Sequence, residues 1–382
     1  MTADSLIDDA FPPGDPHIGM DPRIREHAAT IVDHAVDLEA GDRVVIQLPP
    51  EAEDLAVALY EQCGDIGAIP VWLTHSDRAS RAYLRAAGEE YETPDHQLAF
   101  YEETDAFIIA RGGANVTETS DVPPANNAAF KRAYQPVQEE RLSKRWCLTQ
   151  YPTSGHAQLA GMSTEAYQDF VWDAVGLDWD AQREFQAGMA DRLEDATEVR
   201  IIAGDETDLT LSVAGNHALN DYGEKNLPGG EVFTAPVVDS VDGEVHFDMP
   251  LYRQGREIRD VRLTFENGEV VAHSAGRNKE LLTEILETDD GANRLGELGI
   301  GMNRAIDQFT YNMLFDEKMG ETVHLAVGAA YPETVGDDNA VNESAEHVDM
   351  IVDMSEDARL EFDGEVVQRN GTFVFEDGFD DA

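Results

Sequence analysis

Patterned sequence begins at Asp21-Pro22-Arg23, where an Asp able to cap a helix precedes a Pro suited to its first turn. Apolar side chains at Ile24, Ile31, Val32 and Val36 then recur at helical spacing, and Gly41-Asp42 punctuates. The run Arg43 to Leu48 reads as a buried strand, the stretch Glu51 to Gln62 as a helix, and Ile69 to Leu73 as a second strand. Strand, helix and strand at such short spacing predict a parallel α/β unit. Asp105 to Ala110 and Arg145 to Leu148 add further short strands, so the first half is expected to be an open α/β sheet.

The pattern changes near residue 195. Ser163-Thr164-Glu165-Ala166 looks like a helix start leading into one long amphipathic segment with Phe170, Val171, Val175 and Met189. Beyond it come short alternating stretches, Val199 to Ile202, Asp208 to Val213, Val245 to Met249, Val261 to Phe265 and Val270 to His273, separated by Asn, Asp and Gly turns. Helices are expected at Asn278 to Glu287 and around Ile306 to Asp316, and the closing EDGFDDA reads as a solvated tail. The fold class is therefore α/β, with an N-terminal open α/β domain over 20–195 and a β-rich, barrel-like α+β domain over 196–382.

An open α/β sheet invites nucleotide binding, but the first strand runs into Leu48-Pro49-Pro50-Glu51, with no glycine-rich phosphate loop near it. Gly112-Gly113 could let a ligand approach the backbone, although a plain loop is the simpler reading. Charge narrows the partners further. Against 27 Lys and Arg stand 77 Asp and Glu, a formal net charge of -50, which repels phosphate backbones and anionic lipid, so neither nucleic acid nor a membrane is an expected partner. The cations divide into 22 Arg and five Lys, a balance suited to a multimolar-salt cytoplasm, where the Debye length falls to ~3 Å or less and self-repulsion is screened.

Two cysteines, Cys63 and Cys147, offer neither a disulfide framework nor a zinc-finger spacing. The acidic opening lacks the basic and apolar regions of a signal peptide, and no apolar run reaches ~18 residues, so a cytoplasmic protein is expected.

In so acidic a chain a lone carboxylate says little, and histidine paired with a carboxylate in an apolar setting says more. If Glu346-His347-Val348-Asp349-Met350 is a strand, period two puts His347 and Asp349 on one face, within reach of a common cation. His324 lies amid apolar neighbours in Thr322-Val323-His324-Leu325-Ala326, and Tyr331 precedes Pro332, which restricts its backbone. Glu231 in LPGGEVFTAP and Glu297 in LGELGIGMN each sit in an uncharged neighbourhood read as tightly turning. A carboxylate buried there would have to be paired, protonated or bound to a cation. Glu231, Glu297, His324, His347 and Asp349 together offer hard oxygen and borderline nitrogen donors without thiolate, a set that suits two divalent ions about 3.5 to 4 Å apart.

At these residues the sequence resembles the aminopeptidase T family of thermophilic-type dinuclear metallo-aminopeptidases. The resemblance runs from Met20-Asp21-Pro22-Arg23 through Tyr151-Pro152-Thr153 to PGGEVFTAP, LGELGIG, VHLAVGAAYPET and NESAEHVDM, and covers nearly everything between about residues 20 and 375. It implies metal-ligand roles for Glu231, Glu297, His324, His347 and Asp349 and an active-site role for Tyr331; Glu297 is our choice for the bridge between the two ions, which mixed nitrogen and oxygen donors leave open among Zn, Co, Mn and Mg. The resemblance also implies a homodimer that removes N-terminal amino acids from peptides. A non-catalytic binding module and a dinuclear phosphoesterase are the rival readings. The 19 residues before Met20 depart from the family pattern and suggest Met20 as the natural start.

The charge balance makes one outcome measurable before any site is considered. Circular dichroism melts should show a higher melting temperature in multimolar KCl than in dilute buffer, and an unchanged one would remove the argument for salt adaptation.

Overall fold

The computed structural model describes residues 20–253 and 256–381. The opening residues before Met20, on which the reading of a natural start depends, lie outside them. The Asp21 carboxylate accepts the Arg23 backbone N–H at 3.0 Å and starts the helix Pro22–Thr30. Five parallel strands form the first sheet, in the order Ile69–Thr74, Arg43–Leu48, Ala106–Arg111, Arg145–Gln150 and Asn226–Leu227. The central strands are buried on both faces, as Val44-Val45-Ile46 and Ala106-Phe107-Ile108 require, with helices such as Glu53–Ile66 and Pro124–Leu142 in the crossovers. Leu227 shares this core with Ile306, Leu314 and Phe315, so segments from late in the chain complete it.

Besides a two-stranded sheet, Leu251–Arg253 with Arg256–Ile258, the second half builds two large antiparallel sheets. One has eight strands, ordered Glu269–Ser274, Val261–Glu266, Asp242–Phe247, Thr207–Ser212, Glu198–Ala203, Ala358–Phe362, Glu365–Arg369 and Thr372–Phe373. The other has five, ordered His347–Asp353, Thr322–Gly328, Leu295–Gly301, Glu231–Thr234 and Leu219–Asp221. They share one apolar core, to which the first contributes Val199, Leu209, Phe247 and Leu263 and the second Val232, Leu298, Val323, Leu325 and Met350. An N-terminal mixed α/β unit is thus followed by a β-rich one.

Three expectations need correction. The amphipathic stretch after Ser163 is two helices, Thr164–Val175 and Trp179–Asp195. Gly176 closes the first, and the Asp178 side chain accepts the Ala181 N–H at 3.1 Å to start the second. Around Ile306 to Asp316 only Met313–Asp316 is helical, because Tyr311 holds a left-handed φ of 60° that no continuous helix tolerates. The tail is not simply solvated either: Glu376 accepts from Arg304 at 2.6 Å and from the Phe373 N–H at 2.7 Å, and the Arg369 guanidinium lies over the Phe379 ring at 5.1 Å.

Both cysteines are free and buried, and no helix among the described residues is long and apolar enough to cross a membrane.

His27 gives the first core a pH dependence. Its ring is buried against Trp172, Nε2 meets Thr149 Oγ1 at 2.9 Å, and burial lowers its pKa to about 3. Below an unfolded pKa of about 6.5 the unfolded chain binds a proton that the folded chain refuses, so stability falls as pH drops from there toward 3, by up to ~1.4 kcal/mol per unit. Denaturant titrations between pH 6 and 4 should show a shallower loss for His27→Gln by about one proton, and equal slopes would contradict this assignment.

Candidate metal centre

Period two along each strand of the five-stranded sheet sends one set of side chains into the shared core and the other set to the opposite face. Val232, Leu298, Ile300, Val323, Leu325, Val348 and Met350 belong to the core set. Their neighbours on the other face are Glu231, Glu297, His324, His347 and Asp349. Strand register then brings these together. Glu297 stands opposite Ala326, which stands opposite Asp349, while His324 faces Gly299, His347 faces Gly328 and Glu231 faces Gly301. Each large polar residue has a Gly or Ala beside it across the ladder; the His324 ring fills the space at Gly299, while the Met319 and Glu346 carbonyl oxygens fill it at Gly301 and Gly328.

Gly299 is the tightest of these positions. A Cβ there would lie 2.0 Å from His324 Cε1 and Nε2, so the imidazole occupies the volume any other residue would fill. The sequence LGELGIG, expected to turn, is instead a strand of seven buried residues, because its glycines serve close approach and not chain reversal, of the His324 ring at Gly299 and of backbone carbonyls at Gly296 and Gly301. In PGGEVFTAP the glycines do turn, Gly230 with φ 118°, and Glu231 opens the strand that follows.

All five predicted donors converge, in two triads that share Glu297. Ligand-type atoms of Glu231, Glu297 and His324 lie within 4.8 Å of one another, and so do those of Glu297, His347 and Asp349. His324 Nε2 is 3.0 Å from Glu297 Oε1 and 3.2 Å from Glu231 Oε2. His347 Nε2 is 3.6 Å from Glu297 Oε2 and 3.5 Å from Asp349 Oδ1. Glu297 thus turns one oxygen to each triad. The His347 ring is oriented from behind, where Nδ1 donates to the Ala329 carbonyl at 2.8 Å and leaves Nε2 free to accept.

The residues fit divalent ions. Glu231 Oε2 and Glu297 Oε2 are buried without a hydrogen-bond donor, a costly condition for carboxylate oxygens unless a cation satisfies them. Burial raises the pKa of Glu231 and Glu297, against the opposing pull of Lys318 and His324 respectively. Burial disfavours the charged imidazoles, but the surrounding carboxylates outweigh it, Glu297 first at His324 (about 9) and Asp349 first at His347 (about 10). Burial also works against the Asp349 carboxylate, yet the neighbouring His347 wins and holds it at about 2. Without metal the cluster balances itself with protons, and ions of higher charge can take their place.

Tyr331 lies at the rim, its ring 5.1 Å from that of His347 and 5.9 Å from that of Phe233. Burial of its inner end, with Glu297 and Asp349 nearby, raises the phenol pKa, so it remains a donor at neutral pH. Gly112-Gly113 borders a cavity of about 690 Å³ at the carboxyl ends of the first sheet, with Arg111 and His156 and none of the five donors.

Sequence reading missed the support behind Glu231. Lys318 is fully buried with Nζ 3.0 Å from Glu231 Oε1, and it also pairs with Glu317 and, at 3.9 Å, with Asp221. Gln186, also fully buried, donates to the Glu231 carbonyl at 2.9 Å. The available signal was composition: Lys318 is one of five lysines in a chain that otherwise favours arginine.

Comparison with known proteins agrees with this geometry. The family of thermophilic metalloproteases (M29) matches residues 20–379. The chain belongs to that family. It is a metal-dependent peptidase with a dinuclear metal-binding cluster. Aminopeptidase AmpS of Bacillus subtilis is 27% identical over 409 residues, covering 92% of this chain and 98% of its own. The structure of AmpT from Thermus thermophilus matches with a TM-score of 0.81 at 26% identity, over 92% of this chain and 99% of that one. A 2,5-dihydroxypyridine dioxygenase from Pseudomonas putida KT2440 shares the fold at a TM-score of 0.59 and 12% identity, over 93% and 97%. Fold alone therefore does not fix the chemistry, and the donor set has to.

The fit of His324 over Gly299 is testable. Gly299→Ala should cost ~1 to 3 kcal/mol in denaturant stability through overpacking and reduce divalent-ion uptake, whereas unchanged stability and uptake would show that the ring does not need this space.

Proposed function

We propose that this metallopeptidase is an aminopeptidase that hydrolyses the first peptide bond of peptides, in which Glu231, Glu297, His324, His347 and Asp349 would hold two divalent ions, Glu297 serving both positions. The observation that carries the reading is the division of Glu297, one oxygen toward His324 and the other toward His347. When bound, such a pair of ions lowers the pKa of a shared water toward neutrality and polarises the carbonyl to be attacked. The protein's own part is to hold the ions and orient the peptide. His347 accepts through Nε2 because Nδ1 is committed to Ala329. Tyr331, a neutral phenol at the rim, donates a hydrogen bond to the oxyanion of the tetrahedral species.

The donors are compatible with Zn, Co, Mn and Mg. The partner in this reading is a peptide with a free α-amino group, and the protein acts as a cytoplasmic homodimer, with 20–195 as the α/β unit and 196–382 carrying the chemistry. A dinuclear phosphoesterase would use similar ions, but phosphate needs cationic clamps. The cation against this cluster, Lys318, is already engaged by carboxylates. A binding module without catalysis would leave the converged donors unused.

Chelator-treated protein should lose turnover of a leucyl chromogenic substrate and regain it with a divalent ion, with no comparable turnover of a phosphate ester; the reverse preference would replace this reading with the phosphoesterase one. His347→Ala should abolish the peptidase activity with the melting curve retained, and normal turnover in that variant would end the assignment. Tyr331→Phe should lower kcat by ~10² with a smaller effect on KM, as removal of an oxyanion donor does, and an unchanged kcat would remove Tyr331 from the mechanism.

A further inference from the structure

Lys318 lies between the short helix Met313–Asp316 and the strand Thr322–Gly328, with no exposed surface. A buried ammonium persists only where carboxylates compensate it, and here Glu231, Glu317 and Asp221 do so. The contacts are unequal in consequence. Nζ holds Glu231 Oε1 at 3.0 Å, which leaves Oε2 directed to the side of His324 Nε2, 3.2 Å away. Gln186 fixes the backbone of the same residue through its carbonyl. In the second triad His347 is held by Ala329, and among the described residues neither His347 nor Asp349 has a hydrogen bond or ion pair to Lys318, whose charge reaches Asp349 only through space and behind the larger influence of His347.

We infer that Lys318 is a positioning residue: by occupying one oxygen of Glu231 it makes that residue a one-oxygen donor, so the ion position formed by Glu231, Glu297 and His324 depends on Lys318 and the position formed by Glu297, His347 and Asp349 does not. The inference rests on the dinuclear reading above. It gives the two ions different supports behind their ligands. Groups that orient a ligand from behind typically contribute ~10 to 100-fold in metal affinity, so the two positions fill with separable affinities.

Lys318→Met alone strands the buried Glu231 and the half-buried Asp221 and Glu317 without this cation and can fail to fold, so the test pairs it with a charge-balanced double variant, Lys318→Met with Glu317→Gln. Metal-free wild type and double variant are titrated with Co²⁺ at high salt, followed by calorimetry and by the visible absorption of the bound ion, with melting curves recorded alongside. The wild type is expected to bind two ions. In the double variant one step should keep its affinity and the other weaken at least ~10-fold. Its kcat should be low at one equivalent of Co²⁺ and recover with excess metal at little-changed KM. Equal affinity in both steps, or parallel weakening of both, would overturn the role given to Lys318. A wild type that takes up no divalent ion would instead sink the dinuclear reading itself, which keeps the two failures distinct.

Discussion

Three carboxylates and two imidazoles converge on one face of a β-sheet, Glu231, Glu297 and His324 buried and His347 and Asp349 half-buried, and the rest of the structure follows from the need to compensate them. Placing one ionised carboxylate in such surroundings costs several kcal/mol, and the cluster contains oxygens with no hydrogen-bond donor at all. Protons on the imidazoles balance part of that charge, and Lys318 balances another part from behind Glu231. The remaining imbalance is what a pair of divalent ions satisfies. A stability-driven sequence would replace these groups with apolar ones, so their retention marks a site built for binding and catalysis.

The same sheet makes the site affordable in space. Its apolar face packs against the eight-stranded sheet and fixes the strands, while Gly299 leaves the volume that the His324 ring fills. A rigid core on one side and small residues on the other bring five side chains from four strands together, with the ligand-type atoms of each triad within 4.8 Å of one another. Precision comes from strand register, since a slip by one residue would send every donor into the core.

Much of this was legible in the sequence where a single physical pattern governed. Buried runs such as Arg43–Leu48 and the alternation in His347–Asp353 were read as strands because period two and β-branched composition point the same way. The five donors were found because His and Glu in apolar surroundings demand a reason. Reading failed where one residue type serves two ends. The glycines of LGELGIG looked like turn residues, yet Gly299 is clearance for His324, and Gly176 with Asp178 broke a helix whose apolar spacing ran on. Lys318 escaped because its meaning lies in a contact with a residue 87 positions earlier, which no local pattern displays.

Surface and site obey different electrostatics. The excess of exposed carboxylates is screened by salt, whereas the buried set is shielded from solvent and needs ions held in place. That separation makes a count of ions the most direct test of the central claim. Elemental analysis of protein purified at high salt and loaded with one divalent metal should find two ions per chain in the wild type and fewer than one in Glu297→Gln, because both triads share that carboxylate. A wild type with no tightly held ion, or a Glu297→Gln variant that still carries two, would contradict the account.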